Sequence, residues 1–169
     1  MDVPGSQLEI SEVDIRDARP EDMPALLELI RQLAAFEKAP EAVTNSIDQM
    51  LADGFGPRPL FKAWLAWYQG TAIGMAVVYY RYSTWRGKSL FLEDLYVEPA
   101  WRGRGLGRRL LEKVVDESRA AGCGVIQWQV LDWNTEAIAF YDDLDVQFDP
   151  AWVNVTWPAP FKTRRHIEE

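Results

Sequence analysis

Arg102-Gly103-Arg104-Gly105-Leu106-Gly107 stands between a strand-patterned run and a helix-patterned one, and it constrains this chain more than any other segment. Upstream, Ser89 to Val97 reads as a strand and ends before Pro99, which has no N–H for a sheet ladder. Downstream, Leu106, Leu110, Leu111, Val114, Val115 and Ser118 fall on one face at helical spacing, and Gly122 closes the run. Glycines let such a turn approach a ligand and point its N–H groups inward, and the helix adds unpaired amino-terminal donors and its dipole. The segment reads as a cradle for a pyrophosphate, with a tight structural connection as the plainer alternative. A dinucleotide fold would require glycine where Arg108 stands, and the Gly-Lys-Ser/Thr ending of a triphosphate loop is missing.

The remaining pattern supplies the layers around this turn. Val13 to Ala18 alternates as a strand, and Pro20 opens a helix running to about Glu37 with Met23, Leu26, Leu27, Ile30, Leu33 and Ala34 on one face. Ser46 and Gln49 fit a capping box for a short second helix stopped by Gly54. Phe61 to Tyr68 and Ala72 to Tyr80 read as strands of a hairpin turning at Gln69-Gly70. Val125 to Leu131 is strand-like, Asn134 caps a helix through Leu144, and Val146–Phe148 and Trp152–Thr156 are candidate strands. This order predicts one α/β domain over residues 13–160, with a mixed, mostly antiparallel central sheet and helices on both faces. Residues 1–12 and 161–169 read as tails.

Composition narrows the chemistry. At 169 residues the chain suits one compact domain, and no apolar run is long enough for a membrane span. A secretory leader is not expected, and the lone Cys123 fits a reducing cytoplasmic setting, as a small buried hydrophobe rather than a nucleophile. With His166 as the one histidine, zinc sites and histidine triads are poor candidates, and no metal is expected. The net charge of −8 argues against nucleic acid, yet residues 81–113 carry +4, leaving −12 elsewhere. That split suits an anionic ligand at the turn and a cationic one elsewhere; a solvated surface of mixed charge is the alternative.

Arg102-x-x-Gly105-x-Gly107 resembles the acyl-CoA pyrophosphate motif of the GNAT superfamily of N-acetyltransferases, with strand, helix, Asn134 and Tyr141 following in that family's order. A narrower similarity is to its spermidine/spermine group, with the thialysine-acetylating relatives. It is carried by Leu33-Ala34-Ala35-Phe36-Glu37, Asp53-Gly54-Phe55-Gly56, Tyr82-Ser83-Thr84-Trp85-x-Gly87-Lys88, Leu92-Glu93-Asp94-Leu95-Tyr96-Val97 and Leu131-Asp132-Trp133-Asn134. The resemblance implies acetyl-CoA as cosubstrate, a small polycationic amine as acceptor and a homodimer.

It also implies roles. The backbone of Leu95, Tyr96 and Val97 would pair with the extended arm of the cofactor, and Arg102, Gly103, Arg104, Gly105, Leu106, Gly107 and Arg108 would hold its pyrophosphate. Asn134 matches a cofactor contact and equally suits an N-cap. Tyr141 matches the phenol that protonates the departing thiolate, with helix packing as the alternative. Glu93 matches the acid that binds the amine and takes its proton, and Phe36 and Glu37 match the acceptor lining. On a regular strand Glu93 and Asp94 point to opposite faces, so one alone would face the acceptor unless a bulge intervenes. Trp85, Trp128 and Trp133 could flank a cationic chain, or fill the core.

Two departures stand out: Phe36 replaces the family's common tyrosine, and Asp145 replaces the glycine after the last helix. Direct attack of the amine is expected, because no activated cysteine or serine constellation is visible. The competing readings are acetylation of a protein N-terminus, lysine or drug amine, and a CoA-binding module without turnover.

Overall fold

The computed structural model describes residues 10–157, so the tail expected at 161–169 and His166 lie outside the described residues. Strands β1 (Asp14–Asp17), β2 (Lys62–Tyr68), β3 (Thr71–Ser83), β4 (Gly87–Val97) and β5 (Ile126–Gln127) form one sheet in sequence order. The three pairings from β1 to β4 are antiparallel, and β4–β5 is parallel. Helices α1 (Met23–Phe36), α2 (Ile47–Phe55) and α3 (Leu106–Ala120) accompany the sheet, and α4 (Thr135–Asp142) follows it. The described residues divide into two compact units with the boundary between Gln129 and Val130; the first contains the sheet with α1 to α3, the second α4.

Alternation along β3 distributes the helices of the first unit. Met75 and Val77 join Ala63, Leu65 and Tyr96 in a core closed by Met23, Leu26, Leu27 and Leu29 of α1 and Met50 of α2. Gly74, one residue from Met75, serves the opposite face. A Cβ there would sit 3.2 Å from Cδ1 of Leu110 on α3 and 3.0 Å from the Tyr96 carbonyl oxygen. Glycine therefore permits the close seat of α3, and the expectation of helices on both faces holds.

Local signals largely match their elements. Ser46 caps α2 by accepting from the Gln49 N–H at 3.2 Å. The first described residues, Ile10–Glu12, form a single 3₁₀ turn rather than loose tail. Arg109 on α3 ties it down, donating to the carbonyls of Ile10 at 2.9 Å and Val13 at 2.8 Å.

The carboxy-terminal strands are where pattern and structure part. β5 covers two residues, not the seven from Val125 to Leu131, and neither Val146–Phe148 nor Trp152–Thr156 is a strand. Val153 and Val155 stand exposed, and the alternating apolar pattern there does not by itself make a strand. α4 ends at Asp142, short of Leu144, and the chain then tightens through a Leu144 N–H to Tyr141 carbonyl bond of 2.9 Å. Asp145 takes the left-handed conformation, φ 56°, that glycine would adopt without strain.

Candidate active site

The turn has the form a pyrophosphate needs. Gly103 and Gly105 hold φ of 68° and 83°, and a Cβ at either would meet nothing within 4 Å. The glycines thus serve backbone conformation and leave the approach clear. Gly105 is the N-cap of α3 and supplies no side-chain cap to the first-turn donors. Leu106 anchors the helix start in the core, Gly107 follows it, and Arg104 and Arg108 are exposed. Open donors, a 15-residue helix dipole and two exposed cations fit a diphosphate.

The strand leading into the turn has an open edge. β4 pairs with β3 as far as Gly74↔Val97, whereas its pairing with β5 stops at Phe91↔Gln127. Among the described residues Leu95, Tyr96 and Val97 therefore have a strand neighbour on one side alone, as an extended ligand adding itself as a strand requires. Tyr96 sends its ring into the α1 core, and Val97 lies on the α3 side, with Cγ2 3.6 Å from the Cβ position of Gly74.

A bulge does intervene in β4. In the β3–β4 ladder Val77 pairs with Asp94 and Val78 with Leu92, leaving Glu93 without a partner. A bulge turns an extra side chain toward the face of its neighbour. Glu93 and Asp94 accordingly both line one cavity of about 270 Å³ on the α1 side, walled by Leu26, Leu27, Ile30, Met50 and Phe61, with Asn45, Val77 and Tyr79 completing it.

The two acids differ in setting. Glu93 is exposed, while Asp94 is half-buried and its carboxyl is pushed up to about 6 by burial, then by the negative charges of Glu93 and Glu37. Partial desolvation also pushes up the Glu37 carboxyl, although that residue is exposed by area. Burial and then the Glu93 charge push the Tyr79 phenol up. Asp94 and Tyr79 line this cavity beside Glu93, and sequence reasoning did not single them out. A one-residue register shift leaves no composition signal, and Tyr79 reads as one more aromatic on a strand.

Other expected residues occupy less direct positions. Phe36 and Glu37 do not line the cavity; Phe36 lies beneath the guanidinium of Arg102, with Cζ 4.7 Å from the ring centre. Trp85 is 87% exposed near the β3–β4 turn, far from a core filler, and Trp133 is also exposed. Cys123 is half-buried. In the second unit Asn134 caps α4 by accepting from the Ala137 N–H at 3.2 Å. Tyr141 is buried, and burial pushes its phenol up to about 12, so it stays protonated at neutral pH.

Comparison with known proteins establishes the family. The sequence model of the Acetyltransferase (GNAT) family matches residues 23–145. The chain belongs to that family, and it is an N-acetyltransferase. It is 38% identical over 143 residues to the thialysine N-epsilon-acetyltransferase of Bos taurus, covering 80% of this chain and 84% of that one. The thialysine N-epsilon-acetyltransferase of Caenorhabditis elegans is 36% identical, covering 85% and 84%. The human spermidine/spermine N(1)-acetyltransferase-like protein 1 is 33% identical over 82% of this chain and 21% of its own length. Among solved structures, the aminoglycoside acetyltransferase meta-AAC0020 with trehalose superposes with a TM-score of 0.74 at 16% identity, over 88% of this chain and 97% of that one. Aminoglycoside N-acetyltransferase AAC(6')-Iy in complex with CoA gives 0.69 at 22% identity, over 85% and 93%. Those two likenesses concern the fold.

Proposed function

We propose that this chain transfers acetyl from acetyl-CoA to a primary amine of a small cationic acceptor, a polyamine, diamine or thialysine-like amino acid, by direct attack in a ternary complex. The observation that carries this reading is the β4 bulge, which gives one apolar-walled cavity two adjacent carboxylates. An alkylammonium group suits both features, its charge meeting Glu93 and Asp94 and its stem meeting Leu26, Ile30 and Phe61. The names of the thialysine-acetylating relatives support the same acceptor class.

Acetyl-CoA, when bound, supplies the thioester whose acetyl group moves to nitrogen. The N–H groups of Gly103 to Arg108 would hold its diphosphate, aided by Arg104 and Arg108, and the open edge of Leu95–Val97 would hold its extended arm. A protonated amine has no lone pair, so its proton must leave before attack. Glu93 and Asp94 receive it at their carboxylate oxygens, directly or through water. By family resemblance Tyr141 returns a proton from its phenol oxygen to the leaving sulfur, as C–N forms and C–S breaks. The resemblance further implies a homodimer, which sedimentation would measure.

A panel of thialysine, spermidine, 1,3-diaminopropane, a peptide amine and an aminoglycoside, assayed for acetyl-CoA turnover, tests the assignment. Turnover is expected with the first three. Preference for the peptide or the sugar amine would overturn the acceptor class, and CoA binding without any turnover would overturn the enzyme reading.

A further inference from the structure

Arg102 is the first residue of the turn, and its motif position marks it as a pyrophosphate ligand. Its guanidinium also has partners within the protein. Nε donates to the Val97 carbonyl oxygen at 3.0 Å, at the end of β4. Its Cζ stands 4.7 Å from the ring centre of Phe36, the last residue of α1, and 5.7 Å from that of Tyr96. One planar cation thus touches the carboxy-terminal ends of two elements, β4 with its carboxylates and α1 with its apolar residues, that both contribute side chains to the cavity. A second, longer link joins the same pair, the Tyr96 hydroxyl donating to Oε1 of Gln32 at 3.4 Å. Beyond Phe36 comes Glu37, whose charge acts on Asp94.

We propose that Arg102 is a positioning residue for the acceptor, fixing the end of α1 to the end of β4 and so setting the spacing between the cavity's apolar wall and its carboxylates. The proposal rests on reading that cavity as the acceptor site. Arginine suits the task because its flat, delocalised cation can donate to a carbonyl through Nε while its face covers rings. Phe36 is the complementary half: its ring is the surface on which the cation rests, so an aliphatic residue of similar volume would lose the attraction.

The test measures kcat and KM for thialysine and spermidine, and CoA affinity by calorimetry, on wild type, Arg102→Gln, Phe36→Leu, the double variant and Phe36→Tyr. Phe36→Leu and Arg102→Gln are each expected to raise acceptor KM roughly tenfold, with a smaller change in kcat, as loss of a partly desolvated cation–ring contact implies. The double variant should be no worse than either single, because both remove one interaction. Phe36→Tyr keeps the ring and should stay near wild type, and Phe36→Leu should leave CoA affinity unchanged. Additive effects on acceptor KM, or an Arg102→Gln defect confined to CoA affinity, would overturn the proposal. Should Arg102→Gln fail to fold, the contrast between Phe36→Leu and Phe36→Tyr decides alone: equal acceptor KM for the two overturns it. Wild-type protein that binds CoA yet acetylates neither probe removes the acceptor reading itself, an outcome distinct from any variant result.

Discussion

Asp94 is held in a setting that lowers the stability of its charged form. Burial and the charges of Glu93 and Glu37 raise its carboxyl from the ordinary 3.8 to about 6. For an acid raised on folding, the native state binds more protons, so stability is fullest below the unfolded value and falls as pH rises through about 6. Asp94→Asn is therefore expected to stabilise the protein at pH 7, by about 2 kcal/mol, an advantage that fades below pH ~4. The same variant should lower kcat/KM by roughly 100-fold if the carboxylate serves the amine. Urea titrations at several pH values and steady-state rates measure the two halves. A variant that gained stability and kept its rate would remove Asp94 from the site. Tyr141 gives the complementary prediction, since its phenol at about 12 is a proton donor at neutral pH. Tyr141→Phe should reduce kcat by roughly 100-fold with acetyl-CoA affinity unchanged, and an unaltered rate would exclude it from the chemistry.

At the scale of elements, the turn and α3 behave as one device. Gly105 caps the helix at a φ of 83° with open space where a side chain would begin. Gly105→Ala therefore meets strain without a clash and should cost about 1 kcal/mol of stability. CoA affinity should fall further than that strain accounts for, because the new methyl lies where the ligand must come close. Calorimetry on the folded variant, compared with its denaturation midpoint, separates the two effects; wild-type affinity would end the pyrophosphate reading. β4 is the second such element. Its bulge redirects Glu93, and its pairing with β5 stops two residues earlier, at Phe91, so a single strand provides both a carboxylate pair and an open edge.

At the scale of the molecule, a different pair contributes stability that acid removes. Asp22 is 4% exposed and accepts from Arg16 at 2.6 Å and 2.9 Å and from the Arg19 N–H at 2.8 Å, joining β1 to the start of α1. Arg16 holds the Asp22 carboxyl below its ordinary 3.8, the hydrogen bonds outweighing burial. An acid lowered on folding contributes stability above its unfolded value, and that contribution disappears as pH falls through the native value. Arg16→Gln should cost about 2 kcal/mol at pH 7 and move acid unfolding to higher pH, read by circular dichroism. An unchanged acid midpoint would show that the pair is not what holds this corner. Asp22 and Asp94 thus carry opposite pH dependences in one fold, the first joining β1 to α1 and the second at the cavity proposed for the acceptor.

The sequence by itself determined the parts that depend on neighbours along the chain. The glycines at 103 and 105 imposed the turn, helical spacing from Met23 and from Leu106 imposed α1 and α3, and Ser46 and Asn134 placed their caps. Such signals survive in sequence because backbone sterics, side-chain periodicity and capping act over a few residues. Tertiary structure alone decided what depends on a partner strand or a packed face. The register shift that unites Glu93 with Asp94 exists only relative to β3, and the early end of β5 only relative to β4. Arg102 leans on Phe36, 66 positions before it in the chain, and the Val146 and Trp152 runs stay irregular despite their apolar residues. In each case local propensity left several outcomes close in energy, and long-range pairing and burial chose among them.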